Sequence, residues 1–529
     1  MPKISVLLGE GRGEVPFEPG PSLRDILNTS EWRIRSACRG LGACGLCRVR
    51  VEQGEVARPT PVEQLHLEGG PLEEGVRLAC QIHPQADLDI TLLNPAPPSV
   101  WRTLPDSDYR SRFAPRHRSP GERRYGAAVD LGTTHISVAL CDLPSGRRLA
   151  MRFGPNPQRE YSADILSRLV AADESSEHAQ RLQQSVVAAI GEALMDLSVR
   201  EGLSLYEIAR VEVVGNTAML ALLAQQNYRR LLDPDTWMAP LRCQPAPDHG
   251  WQELWNLRPD THIGLVQPLA GFVGSDLLVG LLHAPILHQR EPALFIDFGT
   301  NSEIALWDGK RFLATSAAGG PAFEGAGIHC GMAAEPGAIF RIQETPTPPW
   351  DCPVIGGVTA AGICGSGLVD LVAILLRRGA LSPTGHLAGD HRGRFHLHGA
   401  PFWITKQDVD LLQRAKAAIG AGVRWLCDHA SLRPTDLGAV YLGGAFGGYL
   451  DPHNAIAIGL LPPVTPERVR MLGNTALKGC QDLLVSDQAA AELTEIRARA
   501  QVINLSTVPD FQELFLEHLY LRPAAEPPA

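Results

Sequence analysis

Cys38, Cys44, Cys47 and Cys80 are the residues of this chain whose type and spacing most directly imply chemistry. Thiolates are the ligands that iron–sulfur clusters prefer. The first three lie in a loop with Gly40, Gly42 and Gly45 between and beside them. A loop curling round an inorganic core must turn tightly and aim backbone N–H groups at sulfur, which those glycines permit. Arg77-Leu78-Ala79-Cys80-Gln81 supplies the fourth thiolate, so the set reads C-x5-C-x2-C…C. Plant-type [2Fe–2S] proteins place four residues between the first two cysteines, and the C-x2-C-x2-C-x3-C-P run of [4Fe–4S] ferredoxins is missing here. A single [2Fe–2S] cluster is the reading these residues favour. The alternatives are a structural zinc site, which usually pairs its ligands as two short cysteine pairs, and unligated thiols.

A second group of residues points to phosphate. Ala127-Ala128-Val129-Asp130-Leu131-Gly132-Thr133-Thr134 runs an apolar strand into an acid, a glycine and two hydroxyls, and the unit recurs as Leu294-Phe295-Ile296-Asp297-Phe298-Gly299-Thr300-Asn301. In each turn the glycine admits close approach of backbone N–H groups to a phosphate. Thr133, Thr134, Thr300 and Asn301 add donors, and Asp130 and Asp297 are placed to hold Mg2+ or orient water. One such turn is a common hairpin; two copies predict duplicated halves clamping one polyphosphate. Gly443-Gly444-Ala445-Phe446-Gly447 closes a third apolar strand with bare backbone suited to a purine and ribose, or, more plainly, forms a strand–helix junction. Glu303 and Glu324 are candidate bases for activating water.

The elements that must carry these groups divide the chain. Residues 4–8 and 14–17 suggest a hairpin, Ser22 an N-cap for a short helix from Leu23, and 48–51 and 87–92 further strands. Residues 1–94 therefore form a small sheet with one helix. Residues 95–124 hold six prolines and seven arginines and read as a linker, a coil of roughly 30 Å that lets the first domain swing. From Tyr125 strands and helices alternate, giving a nucleotide domain over 125–529 with lobes at approximately 125–290 and 291–529. The apolar stripes near 408–426 and 511–519 are core-facing helices.

Composition sets the bounds. A chain of 529 residues exceeds one ordinary core. A net charge of −10 argues against a general nucleic-acid binder. Met1-Pro2-Lys3-Ile4-Ser5-Val6-Leu7-Leu8 is too short an apolar run for a signal peptide, and no stretch reaches the roughly 20 apolar residues of a membrane span. A cytoplasmic protein without a membrane partner is expected. The other seven cysteines, Cys141, Cys243, Cys330, Cys352, Cys364, Cys427 and Cys480, are irregularly spaced and fit buried reduced thiols.

The first portion resembles the β-grasp fold of [2Fe–2S] ferredoxins, and the three turns resemble the phosphate-1, phosphate-2 and adenosine segments of the acetate and sugar kinase, heat-shock chaperone and actin (ASKHA) superfamily. Gly320-Pro321-Ala322-Phe323-Glu324-Gly325-Ala326, Ala361-Gly362-Ile363-Cys364-Gly365-Ser366-Gly367 and Gly473-Asn474-Thr475-Ala476-Leu477 narrow the resemblance. So do Gly215-Asn216-Thr217-Ala218-Met219 and Gly271-Phe272-Val273-Gly274-Ser275-Asp276. Together they are similar to one branch, the reductive activators of corrinoid-dependent enzymes, in which a [2Fe–2S] domain is fused to such an ATPase. The resemblance implies an α+β β-grasp domain followed by an α/β, two-lobed, actin-like ATPase. It implies a [2Fe–2S] cluster, ATP and Mg2+ as cofactors. The implied activity is ATP-dependent, one-electron reduction of Co(II) to Co(I) on the corrinoid protein of a methyltransferase system, fed by an upstream low-potential electron donor. Some members carry an extra middle segment between linker and ATPase, which Tyr125-Gly126 directly after the linker leaves no room for, and others carry C-terminal cluster cysteines, whereas none follows Cys480. Rival readings are an activator of another low-potential metalloenzyme and a non-catalytic redox-sensing module; a sugar kinase leaves the cysteine loop unexplained.

Overall fold

The computed structural model describes the chain except residues 10, 35–41, 43–44, 68–69, 96–99, 104–108, 118–120, 163, 246–249, 300, 347–348, 391–392, 445–447 and 524–529. Strands β1 (Lys3–Leu8), β2 (Gly11–Pro16), β3 (Arg48–Gln53), β4 (Val76–Leu78) and β5 (Leu88–Leu92) form one sheet in the order β2-β1-β5-β3-β4. Only β1 and β5 run parallel; the other pairs are antiparallel. Ile4 and Val6 alternate inward from β1, and Leu88, Ile90 and Leu92 from β5, which is the period-2 pattern of a sheet with one covered face. The helix Leu23–Asn28 supplies the cover through Leu23, Ile26 and Leu27, and Ser22 caps it by accepting from the Asp25 N–H. This is a β-grasp domain.

Two larger sheets repeat one plan. In the first, β6 (Tyr125–Leu131), β7 (His135–Asp142) and β8 (Arg147–Pro155) are an antiparallel meander, and β9 (Ile208–Gly215) and β10 (His262–Leu265) add parallel to β6. In the second, β11 (Ala293–Phe298), β12 (Ser302–Trp307) and β13 (Phe312–Ala317) make the meander. Ala439–Gly443 and Val469–Gly473 add parallel on the β11 side, and Ala500–Val502 adds on the β13 side. The first strands of both meanders are almost wholly buried apolar runs, as sheets covered on both faces require. Two helices stand between the lobes, Ser275–His283 and Thr475–Val485. They touch backbone to backbone: a Cβ added at Gly479 would lie 1.9 Å from the Val279 carbonyl oxygen. Among the described residues no helix is long and apolar enough to cross a membrane.

The segment expected to be a flexible coil is instead strapped down where it is described. Trp101, Tyr109 and Phe113 are buried. Arg102 and Phe153 exchange two backbone hydrogen bonds, each 2.8 Å. The Tyr109 hydroxyl and Ser111 Oγ both donate to Asp482, Arg112 donates to the Leu282 carbonyl at 2.7 Å, and the Arg116 N–H to the Val485 carbonyl at 2.8 Å. Arg123 donates to the Ile208 carbonyl and to Thr261 Oγ1, each at 2.7 Å. Proline and arginine content suggested a solvated coil. Three widely spaced aromatics decide otherwise, since each contributes about 2 kcal/mol on burial, and Arg112 and Arg116 reach carbonyls near the ends of two helices. The cluster domain also touches the second lobe, because a Cβ at Gly357 would lie 2.5 Å from Met1 Sδ.

Candidate functional site

Cys47 precedes β3 and Cys80 lies in the short turn Ala79–Gln81 after β4; the antiparallel pairing of these strands brings the two buried thiols together. The Ala79 N–H donates to the Cys47 carbonyl at 2.8 Å. Cys80 is held down at about 6 by the neighbouring Cys47 thiol, against burial, with further help from Gln81, the Gly42 N–H and Arg24. A thiol poised as thiolate beside a second cysteine, with a backbone amide and a cation at hand, is the donor chemistry that a [2Fe–2S] cluster takes. Gly42 and Gly45 adopt φ of +80° and +63°, and a Cβ on either would strike Val62 or His66. Cys38 and Cys44 lie outside the described residues. By contrast, burial pushes Cys141, Cys243, Cys330 and Cys427 up to about 12, the behaviour of thiols that serve as small hydrophobes.

The two D-x-G turns close the β6–β7 and β11–β12 hairpins. In the first, Asn156 Nδ2 donates to the Gly132 carbonyl at 2.8 Å, Arg168 to the Thr133 carbonyl at 2.8 Å, and the Asn156 N–H to the Thr134 carbonyl at 2.9 Å. In a trans peptide the following N–H points away from its carbonyl. Tying back three carbonyls therefore turns the N–H edge of the turn outward, the polarity a phosphate needs. In the second turn Gly299 and Asn301 are described and Thr300 is not. The third stretch ends the strand Ala439–Gly443 beside β11. Gly443 and Gly444 press on the second turn, since a Cβ at Gly444 would come within 2.1 Å of the Phe298 carbonyl oxygen. Ala445, Phe446 and Gly447 lie outside the described residues.

Four carboxylates converge between the lobes: Asp130, Asp276, Asp297 and Glu303. Each is half-buried. Desolvation pushes Asp130 and Asp297 up to about 7 and Asp276 to about 6, and holds Glu303 well above the usual carboxylate range. Asp276 charge raises each of the other three, Asp130 adds to the effect on Asp297, and Asp297 adds to that on Glu303. Acids crowded this way are costly until a cation joins them. Among the described residues no three of them are close enough to form a metal site by themselves, so a Mg2+ here would need the oxygens of a polyphosphate to complete its shell. Glu324 is half-buried at the end of the turn Pro321–Glu324, and its charge is not among those that raise the four acids.

Sequence reasoning left four contributors without a role. Asn474 caps the helix Thr475–Val485 by accepting from the Leu477 N–H at 2.8 Å and donates Nδ2 to Asp130 at 2.9 Å. Thr475 donates to Asp297 at 3.3 Å. Asn216 mirrors Asn474, capping the helix Thr217–Ala224 and donating to Thr133 Oγ1 at 3.0 Å. The signal was the repeated string Gly-Asn-Thr-Ala at 215–218 and 473–476, one copy per lobe. Asp276, at the start of the helix Ser275–His283, offered no such repeat.

Comparison with known proteins follows the same division. The family model "C-terminal domain of RACo the ASKHA domain" matches residues 291–527, "RACo middle region" matches 125–289, and "2Fe-2S iron-sulfur cluster binding domain" matches 9–85. The middle region of the family is thus the first lobe itself, which corrects the expectation that this chain lacks it. The chain is 31% identical to the "Corrinoid activation enzyme RamQ" of Eubacterium limosum, over 74% of this chain and 69% of that one. It is 27% identical to the "[Co(II) methylated amine-specific corrinoid protein] reductase" of Methanosarcina barkeri, over 74% and 76%. The solved "Reductive activator for corrinoid,iron-sulfur protein" superposes with a TM-score of 0.68 at 27% identity, covering 98% of each chain.

Proposed function

This chain belongs to the reductive activators of corrinoid proteins, and on that premise we propose that it uses ATP to drive one electron from its [2Fe–2S] domain to the cobalt of a partner's corrinoid, returning Co(II) to Co(I). The observation that carries the reading is a cysteine-ligand domain in contact with both lobes of a chain that gathers four carboxylates between those lobes. When bound, the cluster supplies a one-electron carrier. When Mg2+ enters with ATP, Asp130 and Asp297 would help to hold it and orient water, with Asp276 and Glu303 adding negative charge. Asn216, Thr133, Thr134 and Asn301 position phosphate oxygens, and the glycine-rich stretch that opens with Gly443 and Gly444 is where the nucleoside would lie.

The need for ATP follows from the redox scale. A plant-type [2Fe–2S] centre lies near about −400 mV, and Co(I) corrinoid is a difficult product from there. Each tenfold preference of the complex for one oxidation state moves a one-electron couple by about 59 mV. A ligand shifts such an equilibrium only through different affinity for the two states, so nucleotide-driven closure must change which cobalt state the complex favours. Closure has a path outward. The helices Ser275–His283 and Thr475–Val485 begin at the carboxylates and end at the strap, where His283 and Asp482 pair at 2.8 Å and Asp482 accepts from Tyr109.

The partner is a corrinoid protein of a methyltransferase system, and a low-potential donor reloads the cluster. The test is an anaerobic spectrum of the holoprotein with a Co(II) corrinoid protein, a strong reductant, Mg2+ and ATP, each left out in turn. Co(I) is expected only with all present and is trapped by a methyl donor. Equal Co(I) without nucleotide overturns the coupling and favours a sensing module.

A further inference from the structure

The C-terminal end of the helix Ser176–Glu201 abuts the cluster domain. Its 26 residues end in carbonyls that carry the negative pole of the helix, and Glu201 adds a full charge there. Arg24 of the cluster domain, 5% exposed, fills this end. Its Nη2 donates to the Arg200 carbonyl at 3.3 Å and to Glu201 Oε2 at 3.2 Å, while Nη1 donates to the half-exposed Asp25 at 2.8 Å. The other oxygen of Glu201 accepts from Arg152 of β8 at 3.0 Å, so one carboxylate joins the first lobe's sheet to the cluster domain. A second clasp runs beside it: Arg33 to Asp196 at 3.4 Å, with Asp196 also accepting from Arg152 at 2.7 Å and Arg200 at 2.6 Å.

The helix that carries Arg24 is also tied to the cysteine turn. The Leu23 N–H donates to the Ile82 carbonyl at 2.8 Å, fixing the first turn of the Arg24 helix to the turn that carries Cys80. The guanidinium lies within electrostatic reach of both Cys47 and Cys80. Cluster potentials follow the surrounding net charge, hydrogen bonds to sulfur and solvent exposure. A cation beside the thiolates favours the reduced, more negative cluster. A carboxylate and a helix end bonded to that cation cancel part of its field.

We propose that Arg24 is a potential-setting residue of the electron carrier and that the ATPase lobe adjusts it through Glu201, making the seated cluster a stronger reductant than an unpaired Arg24 would allow. The inference rests on the [2Fe–2S] reading of the cysteines and deepens the proposed function by assigning the contact through which the ATPase reaches the cluster.

The experiment is an EPR-monitored redox titration of the full-length holoprotein, with iron content and visible circular dichroism checking that the cluster is intact. Glu201→Gln leaves the cluster domain's own sequence untouched and should favour the reduced form about tenfold, raising the midpoint by about 59 mV. Arg24→Gln should move it by a similar amount in the opposite direction, and Arg24→Lys, which keeps the charge, should lie near the wild type. A role in packing alone would shift Glu201→Gln and Arg24→Gln in the same sense, or neither, and either result overturns the proposal. Should Arg24→Gln lose its cluster, the sign of the Glu201→Gln shift decides. Failure of the cluster reading itself is distinct, because it leaves no reducible EPR signal in the wild type.

Discussion

Asp276→Asn should stabilise the nucleotide-free protein at pH 8 while weakening its response to Mg2+ and ATP. Asp276 rises from an ordinary 3.8 to about 6, chiefly through desolvation. A raised carboxylate binds its proton more tightly in the folded state than in the unfolded one. It therefore costs nothing below about pH 4, becomes destabilising as pH rises through the window from 3.8 to about 6, and costs a constant amount above it. The full difference corresponds to about 3 kcal/mol, and water in the open cleft reduces it, since Asp276 is only half-buried. An expected gain of about 1 to 3 kcal/mol at pH 8 remains, with about half of it at pH 5. Asparagine keeps the oxygen that accepts from the Leu277 N–H at 2.9 Å and offers an N–H donor to the neighbouring acids, so the local geometry survives. Removing the charge also relieves Asp130, Asp297 and Glu303, which it raises. Thermal melts of wild type and variant from pH 5 to 8, with and without Mg2+ and ATP, give the answer. The variant should melt a few degrees higher at pH 8 without ligand. It should gain less from Mg2+ and ATP than the wild type does, because one carboxylate fewer awaits the cation. Equal melting at pH 8, or a variant uniformly less stable across the range, refutes the electrostatic account.

Two further outcomes follow from other contacts. Cys80→Ser should abolish or destabilise the cluster, because it removes one thiolate of a complete set, and the wild type should hold two irons and two sulfides per chain when reconstituted anaerobically; four irons, or none, contradicts the reading. Tyr109→Phe removes one donor to Asp482, leaving Ser111 and His283 on that carboxylate, at a cost of about 1 kcal/mol. Hydrogen exchange over residues 109–116 should quicken several-fold while ATP turnover stays unchanged, and unaltered exchange shows that this bond does not hold the strap.

Groups whose identity declares their chemistry were legible in the amino-acid order alone. The Cys47 and Cys80 thiols, the acid–glycine–hydroxyl turn at 130–134 and the Ser22 cap are local: a ligand type, a glycine pressed against the returning strand, a hydroxyl one step before a helix. The repeated apolar strands made the two-lobed fold readable for the same reason, since a strand buried on both faces needs a continuous apolar run. Contacts across long stretches of chain leave no such mark. Asn474 reaches Asp130 across 344 positions and Arg24 reaches Glu201 across 177, and in the sequence each is one polar residue among many. The strap between the domains shows the limit most plainly. Its prolines and arginines have the composition of a solvated coil, and only the folded lobes offer the carbonyl ends and the Asp482 carboxylate that those side chains need. Tertiary structure decided these cases because a charge or a lone aromatic gains free energy from a partner that composition and periodicity cannot supply.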